Sequence, residues 1–242
     1  MQHAISKPAN EPCRLIKEHF PGFAPAVIFD VGANVGKSAQ AFAQAFPGAA
    51  IYAFEPVSSV YAALAENLAH EPRVRTFNAA LGRGPGRAFA TRRSTSVSNR
   101  IVDAPTMFER HKTESVAMTS GDAFSAEHGI DRIGFLKIDA EGHDLEVLVG
   151  FQKMLAAARI DILEAEVGMN RDNRRHVPFE AVKAYLEPLS YHLFHLHDLA
   201  MDTPLSGRAV LRRANAMFVS DSFVEARRAE SRKASVRAEE LR

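Results

Sequence analysis

Tryptophan is absent from the 242 residues, cysteine occurs once, and neither sign of charge prevails. A lone Cys13 cannot close an internal disulfide, which removes the disulfide-stapled scaffolds and agrees with a reducing compartment. Thirty basic against twenty-nine acidic side chains give a formal charge of +1. Bulk attraction for nucleic acid or an anionic membrane is therefore missing, and any charged partner must be recognised locally. No apolar run approaches the roughly 20 residues that a bilayer-spanning helix needs. The opening MQHAISKPANEP has no basic cluster followed by an apolar stretch, so no export signal is read there. These absences set the expectation of a cytoplasmic protein with no nucleic-acid and no membrane partner.

What is present is an ordinary globular composition, 46% hydrophobic and 24% charged. Short β-rich runs alternate with helix-compatible stretches: AVIFDVG then GKSAQAFAQAF, AAIYAFEP then SSVYAALAENLA, VRTFNAAL, IGFLKIDA then DLEVLVGFQKMLA. That alternation is the pattern of a doubly wound, mainly parallel sheet with helices on both faces. RIDILEAEV adds a fifth strand and VPFEAVKAYLEPL a helix. YHLFHLHDL and ANAMFVS follow as a hairpin, for a total of about seven strands. Between the third and fourth strands, RGPGRAFATRRSTSVSNR reads either as a substrate loop or as a solvated one, with ESVAMTS as a short added strand. The expected organisation is an N-terminal extension (1–24), a catalytic domain (25–221) and a charged C-terminal helix or tail (222–242).

FDVGANVGKS resembles two nucleotide-binding devices at once. A phosphate loop needs four residues between its glycines so that successive backbone N–H groups can wrap a phosphate. Only Ala33, Asn34 and Val35 separate Gly32 from Gly36, so Lys37 and Ser38 are read as the first turn of an ordinary helix. The alternative is a strand-to-helix turn, Asp30-x-Gly32-x-Asn34-x-Gly36, with Asn34 where glycine is usual. Asparagine tolerates left-handed backbone angles, so the turn survives the exchange. Such a turn asks for an acidic residue about 20 positions on, at the end of the next strand, to take ribose hydroxyls. Glu55 in YAFEP meets that requirement.

FDVGANVG, FEP, NAAL, LKIDAEGHDLEVLVG and LEAEV, in that order between Val27 and Val167, resemble the FkbM family of S-adenosylmethionine-dependent methyltransferases. The resemblance implies a class I methyltransferase (Rossmann-like) α/β fold, a seven-stranded sheet with its last strand antiparallel. It also implies S-adenosylmethionine as cofactor and O-methylation of a carbohydrate or small natural product, and it leaves a divalent metal open. An NAD-dependent oxidoreductase and a non-catalytic binding domain of the same fold are the alternatives, although the chain has DxGxNxG where the first would show GxGxxG.

By the resemblance and by position, Asp30, Gly32, Asn34 and Gly36 are expected to line the methionine part of the cofactor and Glu55 its ribose. Asn78 and Ala79, at the third strand end, fall near adenine; for Asn78 a side chain tying down a loop is the alternative. Asp139, Glu141, His143 and Asp144 crowd the turn after the fourth strand. His143 is the candidate general base, since an imidazole titrates near neutrality. Asp139 is the candidate for the cofactor's amino group or a metal ion, and Asp144 is also readable as a helix cap. Glu166 is expected on the acceptor side, with Glu164 on the same face by the strand period of two. His192, His195 and His197 are read as packed or surface histidines, because no Cys/His spacing completes a metal set.

Overall fold

β1 (Val27–Val31) lies between β2 (Ala50–Phe54) and β8 (Ile133–Ile138), parallel to both, in the computed structural model. The structure describes residues 9–91, 101–102, 113–202 and 209–240. Every residue of β8 is buried, as a central strand covered on both faces requires. β3 (Val74–Phe77) extends the sheet beyond β2, and β9 (Ile160–Gly168) extends it beyond β8. β11 (Val210–Ser220) then enters between β9 and β10 (Tyr191–Asp202), antiparallel to each. The resulting order is β10-β11-β9-β8-β1-β2-β3, seven strands with only the last in sequence reversed. This is the doubly wound α/β sheet expected of the chain, including its terminal hairpin.

The strand period of two sorts the core into two layers. Phe29, Val31, Leu136, Ile138 and Leu163 point to one face, where α5 (Asp144–Gly150) and α7 (Phe179–Leu186) contribute Leu148, Val182 and Leu186. Ile28, Phe135, Ile162 and Met217 point to the other, with Phe42 from α2 (Lys37–Ala45) and Leu64 and Leu68 from α3 (Ser58–Leu68). α1 (Glu11–His19) packs Leu15 and Ile16 into this second layer, beside Cys13. Burial pushes the Cys13 thiol up to about 12, so it is an inert core side chain. α8 (Asp221–Glu240) anchors itself through Phe223, edge-on to Phe20 and Phe23. Among the described residues no helix is long and apolar enough to cross a membrane.

The segment expected to be a loop differs. Gly86–Thr91 is a strand, β5, antiparallel to β7 (Thr113–Thr119), which is the added strand foreseen in ESVAMTS. With β4 (Ala80–Leu81) and β6 (Ile101–Val102) they form a second sheet, ordered β4-β7-β5-β6. Ala88 and Ala90 alternate inward against Val116, and their small size hides the strand period from a hydropathy reading. The part of that segment beyond Thr91, residues 92–100, lies outside the described residues.

Candidate functional site

The turn from β1 into α2 carries three residues with positive φ: Gly32 at +78°, Asn34 at +52° and Gly36 at +91°. Asn34 thus adopts the left-handed angles that its amide tolerates. Gly32 is held to glycine by the protein itself, because a Cβ there would lie 2.0 Å from the Asp139 carbonyl oxygen. Gly36 faces Leu64 and Leu68 of α3, whose methyl groups would stand 3.0 and 2.8 Å from an added Cβ.

The end of β2 latches this turn. Backbone N–H groups of Gly32 and Ala33 donate to the Phe54 carbonyl at 3.0 and 2.9 Å. Asn34 N–H donates to Glu55 Oε2 at 3.1 Å, and Val57 N–H to Glu55 Oε1 at 2.9 Å. Burial pushes the Glu55 carboxyl up to about 7 against the pull of those two bonds. Asn78 Nδ2 donates to the carbonyls of Glu55 and Pro56, both at 3.0 Å, which is the loop-tying arrangement.

At the end of β8, Lys137 is buried, with its Nζ 3.3 Å from Asp30 Oδ1 and 3.6 Å from Asp139 Oδ2. Burial alone would lower its pKa, yet Asp30, Asp139 and Glu164 together hold the ammonium above its usual range. Asp30 and Lys137 are register partners, so both side chains leave the same face of the sheet. The longer lysine reaches the cavity and Asp30 stays fully buried behind it.

The turn after Asp139 is tied from within. Asp144 accepts from Gly142 N–H at 3.2 Å and Ala140 N–H at 3.4 Å. Its complete burial, with Asp139 and Glu166 nearby, pushes its carboxyl up to about 8. Glu141 sits at φ +52° and pairs with Arg175 Nη2 at 2.6 Å. Gly142 is closed in by the Arg175 carbonyl oxygen, 2.3 Å from where a Cβ would stand.

β9 and the terminal hairpin build the opposite wall. Glu166 holds Arg213 Nη1 at 2.6 Å and His176 Nε2 at 3.0 Å, while Arg213 also reaches Asp198 at 3.0 Å. Glu164 holds His197 Nε2 at 3.0 Å. Ligand atoms of Glu141, Glu166 and His176 lie within 4.8 Å of one another, a spacing that suits a cation. Both carboxylates of that trio are already bonded to guanidinium groups.

These elements enclose a cavity of about 960 Å³. Of the residues singled out from sequence, Gly32, Asn34, Glu55 and Ala79 line it on the β1–β2 side, and Asp139, Glu141 and Glu166 on the other. Asp30, Gly36, Asn78 and His143 do not line it. Asp30 lies buried behind Lys137, Gly36 packs against α3, Asn78 is turned to the Glu55 and Pro56 carbonyls, and His143 stands at the N-cap of α5, partly exposed, its backbone N–H turned to the Ala140 carbonyl. Lys37 and Ser38, taken as an ordinary first turn, begin α2 and face the cavity as well. Asn34 Oδ1 is buried and has no hydrogen-bond partner among the described residues.

Residues 30–194 match the model of the methyltransferase FkbM domain. The chain belongs to the FkbM methyltransferase family. Hexuronic acid methyltransferase AglP of Haloferax volcanii is 28% identical over 153 residues, which are 60% of this chain and 57% of that protein. The chain thus spans a little over half the length of this curated relative. Two solved structures share low similarity: precorrin-6y C5,15-methyltransferase of Geobacter metallireducens, 11% identical at TM-score 0.48, covering 90% of this chain and 91% of that one, and magnesium protoporphyrin IX methyltransferase of Synechocystis, 10% identical at TM-score 0.48, covering 88% and 78%. Within the FkbM domain, sequence reading missed Lys137, Arg175 and His176. A lysine inside the apolar run IGFLKI was the available signal for the first. Arg175 and His176 sit in an irregular loop with no periodicity to betray them.

Proposed function

We propose that this chain is an S-adenosylmethionine-dependent O-methyltransferase whose acceptor is a hydroxyl of a carbohydrate or small natural product. The observation that carries the reading is the Gly32–Gly36 turn, latched by Glu55, with Asn34 Oδ1, unpartnered among the described residues, on a cavity shared with Asp139, Glu141 and Glu166. A buried amide oxygen without a donor is costly, and a ligand bearing N–H or O–H groups would satisfy it. The cavity volume falls within the range usual for small-molecule sites. Residues and cofactor therefore fit. Gly32, Asn34 and Glu55 would hold it with Ala79 toward its base, and Asp139 would take its amino group.

When bound, the sulfonium supplies an electrophilic methyl group. The chain's contribution is then chiefly to orient an acceptor oxygen, and positioning of this kind is worth up to about 7 to 11 kcal/mol in favourable intramolecular models. Glu141 and Glu166, fixed by Arg175 and Arg213, present rigid carboxylates to acceptor hydroxyls. The hexuronic acid specificity in the name of the relative from Haloferax volcanii makes a hexuronide the first acceptor to try.

Calorimetry with S-adenosylmethionine tests the cofactor half of the reading. Binding by the folded protein, lost in Glu55→Ala, is the expected result; no binding, with NAD binding in its place, would overturn it.

A further inference from the structure

Two carboxylate–imidazole pairs stand in the cavity wall, Glu166 with His176 and Glu164 with His197, each at 3.0 Å and all four side chains buried. They differ at the far ring nitrogen. His176 Nδ1 lies 2.9 Å from Asn173 Nδ2 and 3.1 Å from Asn173 Oδ1, so both of its nitrogens are engaged. His197 Nδ1 is buried and has no hydrogen-bond partner among the described residues.

The chemistry of that difference is directional. A carboxylate oxygen only accepts, so the proton of the His197 ring belongs on Nε2, facing Glu164. Nδ1 is then left with a bare lone pair, an acceptor needing a donor that none of the described residues provides. A hydroxyl group is such a donor. His143, the imidazole favoured from sequence, does not line the cavity, whereas His197 does.

We propose that His197, oriented by Glu164, is the base that receives the acceptor's hydroxyl proton, an assignment that rests on the methyltransferase reading above. As the hydroxyl oxygen forms its bond to the methyl carbon, the carbon–sulfur bond breaks with its electron pair left on sulfur. The hydroxyl proton passes to Nδ1, yielding a neutral ether and an imidazolium beside the Glu164 carboxylate. Solvent takes the proton afterwards. Glu164 is a positioning residue, because it acts on the ring and not on the acceptor. Glu164 on β9 holds the ring at Nε2, and Glu11 on α1 and His195 on the same strand lie within electrostatic reach of it.

The place is not obvious from sequence because β10 is irregular there. Its pairing with β11 shifts register between Leu193 and His195 and again between His197 and Ala200, and Asp198 takes a φ of +49°. These irregularities re-aim side chains on the strand, as bulges do beside active sites.

Nitrogen-15 NMR of the histidines in the ligand-free protein tests the orientation directly. His197, assigned by its loss in His197→Gln, is expected as the Nε2–H tautomer, and Glu164→Gln is expected to mix the tautomers. An Nδ1–H ring, or a tautomer indifferent to Glu164→Gln, would overturn the proposal even if the protein binds S-adenosylmethionine. With methyl glucuronoside as the acceptor probe, His197→Gln should lower kcat by about a hundredfold or more. The same variant should keep the S-adenosylmethionine Kd and the melting temperature, with His197→Asn as the second substitution should the first fail to fold. An unchanged kcat in a folded variant would also overturn it. Failure of the wild-type protein to bind S-adenosylmethionine would sink the methyltransferase reading instead, and the NMR result would still decide how the ring is held.

Discussion

Glu55 accepts the backbone N–H of Asn34 at 3.1 Å, joining the end of β2 to the turn that follows β1. The same carboxylate accepts from Val57 at 2.9 Å, so one side chain holds two loops that flank the cavity.

Its burial gives it a pH signature. The carboxyl is pushed up to about 7 from 4.5, so the folded state holds its proton more tightly than the unfolded chain. The stability linked to that proton is fully present below about pH 4.5 and is lost as pH rises through about 7. Glu55→Gln cannot ionise, so it should flatten this part of the stability curve. Urea denaturation at several pH values between 4 and 8 would measure the slope in both proteins; equal slopes would assign it to other groups.

Asn34 combines a left-handed backbone with an amide oxygen unpartnered among the described residues, and two substitutions separate them. Asn34→Gly relieves the positive φ and should leave stability within ~1 kcal/mol of wild type. Asn34→Ala keeps the strain without the amide's tolerance of it and should cost about 1 kcal/mol. Both remove the amide, so both should weaken S-adenosylmethionine binding by about tenfold, the worth of one good hydrogen bond. Undiminished affinity in the glycine variant would show that the side chain does not touch the ligand.

Lys137 neutralises Asp30, whose carboxylate has no other described group to answer it. Lys137→Met should therefore destabilise the fold by about 3–5 kcal/mol, the cost of an unpaired buried charge. Removing both charges, Asp30→Asn with Lys137→Met, should recover much of that loss. Additive losses in the double variant, read from chemical denaturation, would mean that the two side chains act independently.

The central strands were legible because buried parallel strands need unbroken apolar runs, and Val27–Val31, Ala50–Phe54 and Ile133–Ile138 supply them. The glycine turn and Glu55 were legible because their spacing follows the strand–helix–strand unit. Depth was not. Nothing in FDVG says that Asp30 will sit behind a lysine more than a hundred positions later, since that follows from cross-strand register. Nor does YHLFHLHDL reveal which histidine turns inward, because the shifts in β10 break the period of two on which such a reading depends. The place of Asn78 at the end of the third strand could be read from sequence, whereas the two carbonyls to which it donates could not.

The cavity wall begins at Ala9 and Glu11 and ends at Arg213 and Asn215. A ribosome that has delivered the chain as far as β9 has made the glycine turn, Glu55 and Asp139, but not the hairpin that carries His197. Contacts of such long sequence separation form late and slowly. Until the hairpin slides in beside β9, the nascent protein exposes the edge of a hydrophobic strand, and it is at this stage that chaperone protection would matter most.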